Sequence, residues 1–172
     1  MSKSALKKEL SKLTKEVLIK QILDLYEKNT SVKEFYGLYF NSTNEKELIK
    51  KYKKVIRNEF NVENPMRSGE KFSVAKKAIS EFKSINPSSM GLADVMLYLP
   101  ESACQLTALY GDYSESFYNS AIRNYQIALV FMSKHDLLDH FQERALQCVK
   151  WSSPCGYGFA DDIEQLYNEF YS

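Results

Sequence analysis

Residues 114–134 read SESFYNSAIRNYQIALVFMSK. Phe117, Ala121, Tyr125, Ala128 and Met132 recur every three or four positions, and Tyr118, Ile122 and Leu129 widen the same face. That is the 3.6-residue period of an amphipathic helix, not the alternation of a strand. From Ile127 to Met132 every residue is apolar, which predicts that this half of the helix is surrounded by other helices. The helix start lies in YGDYSESFYNS, Tyr110–Ser120, where four aromatic rings, two acids and three serines crowd together. Two caps fit. With Asp112 as N-cap, Glu115 falls at N3 and completes a capping box. With Ser114 as N-cap, Tyr113 and Tyr118 take the two positions of a hydrophobic staple. Gly111 suits the end of a preceding helix. Helix-making does not require the polar tips of Tyr110 and Asn119. With Asp112 and Tyr118 they form the candidate binding site.

The same period extends in both directions. Towards the N-terminus, Thr14 caps a stripe of Leu18, Ile22, Leu25 and Tyr26. SVKEFYGLYF, from Ser31, predicts a short aromatic helix interrupted by Gly37. Asn44 caps Leu48, Tyr52, Val55, Ile56 and Phe60, opposite a face of Lys50, Lys51, Lys53 and Lys54. The polar segment 61–72 is the candidate subdomain boundary. Ser73 then caps a stripe of Val74, Ala78, Ile79, Phe82 and Ile85. Ser88 or Ser89 starts the apolar run LADVMLYL, which meets Pro100. Proline inside a helix costs about 3 kcal/mol, so a break or kink is expected there. Towards the C-terminus, Leu137, Leu138, Phe141, Ala145 and Val149 mark one helix, and Phe159, Ile163, Leu166, Tyr167 and Phe170 the last. The expected architecture is all-α: an irregular bundle of about eight to nine helices without a sheet, in one domain spanning 1–172.

The bulk composition agrees. Only 6 glycines and 4 prolines occur in 172 residues, too few turns for an all-β fold. No apolar run approaches the length of a membrane span. MSKSALKKELSK has charge but no apolar core, so no secretory signal is expected. Cys104, Cys148 and Cys155 are odd in number and irregular in spacing, which predicts reduced thiols and a cytoplasmic protein. Net charge is +1, but residues 1–86 carry 19 basic and 11 acidic groups, whereas residues 87–172 carry 4 and 11. Such polarity favours either self-association or an anionic partner.

Several segments, in this order, resemble a family of small bacterial proteins of unknown function. They are SKSALKKELSKLTKEVLIKQILDLYEKN, VKEFYGLYFN, RSGEKFSVAKKAI, LADVMLYL, YGDYSESFYNS and GYGFADDIEQLY. The resemblance covers nearly the whole chain and implies an all-helical, cytoplasmic, single-domain protein. It implies no activity. Pro100 departs from an otherwise helical pattern.

No catalytic chemistry stands out. His135 and His140 are five apart, on different helix faces, and no cysteine spacing fits zinc, so neither metal nor cofactor is expected. His140 and Cys148 are about 12 Å apart along one helix, too far for a nucleophile–base pair. Asp161 and Asp162 complement the dipole of the last helix. Asp94, among apolar neighbours, needs a partner if buried: it either meets a lysine of the basic half or points to solvent. RSGEK, Arg67–Lys71, precedes a helix start. Arg67, Lys71, Lys76 and Lys77 there form the candidate anion site, without the pattern of a P-loop. Of the 19 basic residues in the first half, 17 are lysine, which argues against base-specific reading of nucleic acid. The expected function is therefore an interaction or adaptor protein that binds a protein or peptide partner or itself. The alternative is an anion- or nucleic-acid-binding protein using the Lys-rich half, and an enzyme ranks third.

Overall fold

The structure is a computed structural model that describes all residues except 42–44, 62, 65–68, 112 and 172. Among the described residues it contains nine α-helices and no strand: α1 (Lys3–Leu10), α2 (Lys15–Lys28), α3 (Thr30–Phe40), α4 (Glu45–Glu59), α5 (Phe72–Ser84), α6 (Ser89–Tyr110), α7 (Glu115–Lys134), α8 (Leu138–Ser152) and α9 (Phe159–Tyr171). The all-α expectation holds. Contacts divide the chain into two compact units, Met1–Thr43 and Asn44–Ser172. Segment 61–72 lies inside the second unit and joins α4 to α5, which pack on each other.

The first unit is α1–α3. Thr14 Oγ1 caps α2 by accepting from Val17 N–H at 3.4 Å, as its position in sequence predicts. Asn29 then ends α2 and caps α3, its Oδ1 accepting from Ser31 N–H. α3 continues through Gly37 without interruption. Its rings stack one turn apart, Phe35 on Tyr39 and Tyr36 on Phe40, and these neighbours hold the helical path despite the glycine. None of the three helices has a buried residue.

In the second unit α6 is central, in contact with α4, α5, α7 and α8, while α9 closes on α7 and α8. Pro100 does not end α6, which runs unbroken for 22 residues. The proline itself is buried, between fully buried Leu99 and buried Glu101. Packing on four neighbouring helices outweighs the lost backbone bond. Asn44, the expected cap of α4, lies outside the described residues. The start of α5 also differs from expectation. Its N-cap is Lys71, not Ser73, and Phe72 and Ala75 are buried while Val74 and Ile79 are only partly so. Glu59 sets this register: its carboxylate accepts from Lys71 N–H at 3.1 Å and its carbonyl from Glu70 N–H at 2.8 Å.

α7 buries Phe117, Tyr118, Ala121, Tyr125, Ala128, Leu129 and Met132 of the stripe read from sequence, while Ile122 is only half-buried. It is not enclosed at its apolar end. Ile127 is 46% exposed and Val130 and Phe131 are half-buried, so α7 stays one-sided to its last turn.

Candidate functional site: a tyrosine-lined pocket and a charged network

Ser114 is the cap of α7, its Oγ accepting from Phe117 N–H at 3.3 Å. Gly111 closes α6 at φ +89°, where a side chain would be strained, and donates its N–H to Thr107 O. The staple forms in altered shape. Tyr113 stacks on Phe117 at 4.5 Å, and the Tyr118 hydroxyl accepts from Tyr113 N–H at 3.1 Å. Tyr118 is 2% exposed and stacks on Phe159, the first residue of α9, at 4.3 Å and 13°. The ring contact ties the start of α7 to the start of α9.

Beside that contact opens a pocket of about 660 Å³. Tyr113, Glu115, Tyr118 and Asn119 line it from α7 and the turn before it, and Tyr157 and Asp162 line it from the far end of the chain. The tertiary fold thus brings together the two most distinctive stretches of sequence, YGDYSESFYNS and GYGF. Of the candidate residues, Tyr118 and Asn119 are in the pocket. Tyr110 is 47% exposed and is not among its lining residues. Asp112 lies outside the described residues. Sequence reasoning missed Tyr157. Its signal was its place in a Pro-Cys-Gly-Tyr-Gly turn, since it takes φ +57° next to Gly158 at φ +76°. An aromatic residue in left-handed backbone is uncommon.

The candidate anion-site residues Lys71, Lys76 and Lys77 are exposed, and Arg67 lies outside the described residues. Lys77 sits 3.9 Å from Glu81. Gly69 lies directly against the Glu59 carboxylate: a Cβ there would come 2.2 Å from Glu59 Oε2.

A second polar cluster joins α4, α6 and α8. Lys53 Nζ meets Asp94 Oδ1 at 2.6 Å, so of the two surroundings expected for Asp94 the structure shows the lysine. Arg144 was not foreseen. Its Nη1 also donates to Asp94 Oδ1, and its Nε donates to Glu101 Oε1 at 2.7 Å, with Nη2 on Glu101 Oε2. The fork–fork geometry is the strong form of the pair. Burial of the guanidinium works against its charge, but the hydrogen bond to Glu101, then the charges of Glu101 and Asp94, push its pKa above the ordinary arginine value. Above this network, Glu45 Oε1 and Oε2 take the N–H and hydroxyl of Ser88 at 2.6 and 3.0 Å. Ser88 Oγ in turn caps α6 by accepting from Gly91 N–H. A small cleft of about 350 Å³ lies over these groups. Lys53, Asp94, Arg144 and Glu101 pair with one another, so the cluster reads as a tie between three helices.

The thiols and histidines offer little chemistry. Cys104, Cys148 and Cys155 are all buried and free. Burial pushes the Cys148 thiol well up, and a hydrogen bond with Cys104 adds to the effect, which keeps it protonated rather than nucleophilic. His135 and His140 are exposed, and Ser89 Oγ lies 3.1 Å from His135 Nδ1. Among the described residues no cluster of three potential ligands can hold a metal, and no helix is long and apolar enough to cross a membrane.

An irregular all-helical bundle with an aromatic pocket and an internally satisfied charge network defines an all-α helical protein. Residues 1–171 match the model of a family of unknown function, DUF6155, and the chain belongs to that family. No curated protein and no solved structure matches it.

Proposed function

We propose that the protein is an interaction module whose α1–α3 unit docks a protein partner. The carrying observation is that none of these three helices buries a residue, although α2 alone presents Val17, Ile19, Ile22, Leu23, Leu25 and Tyr26 at 40–56% exposure. On α3, Tyr39 and Phe40 are 71% and 77% exposed. Many exposed large apolar side chains close together in sequence point to a contact site, and aromatic residues are enriched at the cores of interfaces. Residues 1–43 carry 8 lysines against 5 acids. The matching partner therefore offers an apolar face with an acidic rim.

The test pairs wild type with Leu23→Glu/Leu25→Glu, each of these leucines being 56% exposed. Burying the rest of each side chain contributes about 1 kcal/mol, so the double variant weakens partner capture by about thirtyfold. Native-host pull-down and light scattering read the loss, and circular dichroism checks that helix content is kept. Equal capture by the folded variant would sink this reading.

A further inference from the structure

The pocket at the start of α7 belongs to the second unit and has a chemistry of its own. Its walls are three tyrosine rings and its charges are two carboxylates. Tyr113 is held by stacking on Phe117 and Tyr118 by stacking on Phe159, so two rings are fixed in place before any ligand arrives. Tyr157 is 83% exposed, the most exposed aromatic side chain among the described residues. Glu115 and Asp162 are exposed, and neither has an ion pair among the described residues. Asn119 adds an exposed side-chain amide.

Aromatic faces carry negative quadrupole potential and attract ammonium and guanidinium groups. Carboxylates on the rim attract the same charge and repel anions. The starts of α7 and α9 bring positive half-charges, but Glu115, Asp161 and Asp162 in their first turns reverse the local sign. A metal ion is a poor fit, since no group of three His, Cys, Asp or Glu converges among the described residues. A volume of about 660 Å³ has room for a long side chain with its flanking backbone. We propose that this pocket receives a cationic side chain of the lysine type from a partner polypeptide. Its alkyl stem lies along the rings of Tyr113 and Tyr157, and its ammonium sits between Glu115 and Asp162.

Two sources offer that group: another protein, or a second copy of this chain, whose first 86 residues hold 17 lysines. Calorimetric titration of the full chain with pentalysine at low salt tests the chemistry. Binding is expected for pentalysine and not for the side-chain-acetylated peptide or for pentaglutamate. Glu115→Gln/Asp162→Asn should weaken it at least tenfold. Glu164→Gln/Glu169→Gln, on the outer face of α9, should not. Tyr157→Gly should cost about threefold in affinity while leaving thermal stability equal or higher, because glycine accepts the left-handed backbone there. A purely structural tyrosine would instead lose stability. The proposal is overturned by absence of pentalysine binding, by equal binding of the acetylated peptide, or by equal losses from the pocket and α9 variants. Light scattering then separates the sources. An oligomer dispersed by Glu115→Gln/Asp162→Asn assigns the lysine to a second copy, and a monomer that binds the peptide assigns it to another protein.

Discussion

At the residue scale, polar groups inside the second unit show how tightly side-chain chemistry is constrained. Tyr125 is fully buried, and its hydroxyl donates to Ala145 O at 3.0 Å across from α7 to α8. Burial pushes its pKa far above the usual tyrosine value. Burial likewise lifts Tyr171 to about 12, and its hydroxyl donates to Leu138 O. The sign of the linkage follows. A tyrosine held neutral in the fold but ionising near 10.0 when unfolded adds stability that is whole below pH 10 and is lost as pH climbs towards 12. Buried Cys148 acts in the same direction from its ordinary value of 9.0 upward. Denaturant unfolding should therefore show stability falling above about pH 9. Tyr171→Phe should flatten the fall between pH 10 and 12 without changing its onset. An unchanged slope in that window would remove Tyr171 from the account. Sequence placed Tyr125 on the buried stripe of α7. Its hydroxyl partner lies 20 residues away on another helix, and periodicity carries no information about that.

At the element scale, the tie between α4, α6 and α8 depends on Arg144. Lys53 and Arg144 share Asp94, and among the described residues Arg144 is the ion-pair partner of Glu101, whose side chain is 11% exposed. Removing the cation strands a buried carboxylate, which costs on the order of 3 kcal/mol, whereas removing both charges together costs much less. Arg144→Met should lower the chemical unfolding midpoint sharply, and Glu101→Gln/Arg144→Met should recover most of the loss. A double variant as unstable as the single would show that the guanidinium matters for packing rather than for charge. Asp94 could be singled out from its apolar neighbours alone. Arg144 could not, because on α8 it looks like any solvent-facing cation until α6 is placed beside it. Pro100 teaches the same point in reverse: a local rule predicted a break or kink in α6, and packing on four helices kept the helix continuous.

At the scale of the whole molecule, the core belongs to one unit. Among the described residues the buried apolar side chains begin at Tyr52 and continue to Leu166, all within Asn44–Ser172. A chain beginning at residue 44 should therefore stay folded, with a cooperative thermal transition within a few degrees of the full chain. Calorimetry checks this, and loss of cooperativity would show that α1–α3 contribute to the core after all. The helical class, the stripes of α4, α7 and α9 and the cap at Thr14 were legible in the sequence, which left Ser88 or Ser89 and Asp112 or Ser114 open as the caps of α6 and α7. They depend on neighbours within one helical turn, and that information is contiguous in the chain. The meeting of YGDYSESFYNS with GYGF, the pairing of Arg144 with Glu101 and the bare faces of α1–α3 were decided only by tertiary structure. Each depends on which helix lies beside which, and a period of 3.6 says that a face is apolar without saying what, if anything, covers it.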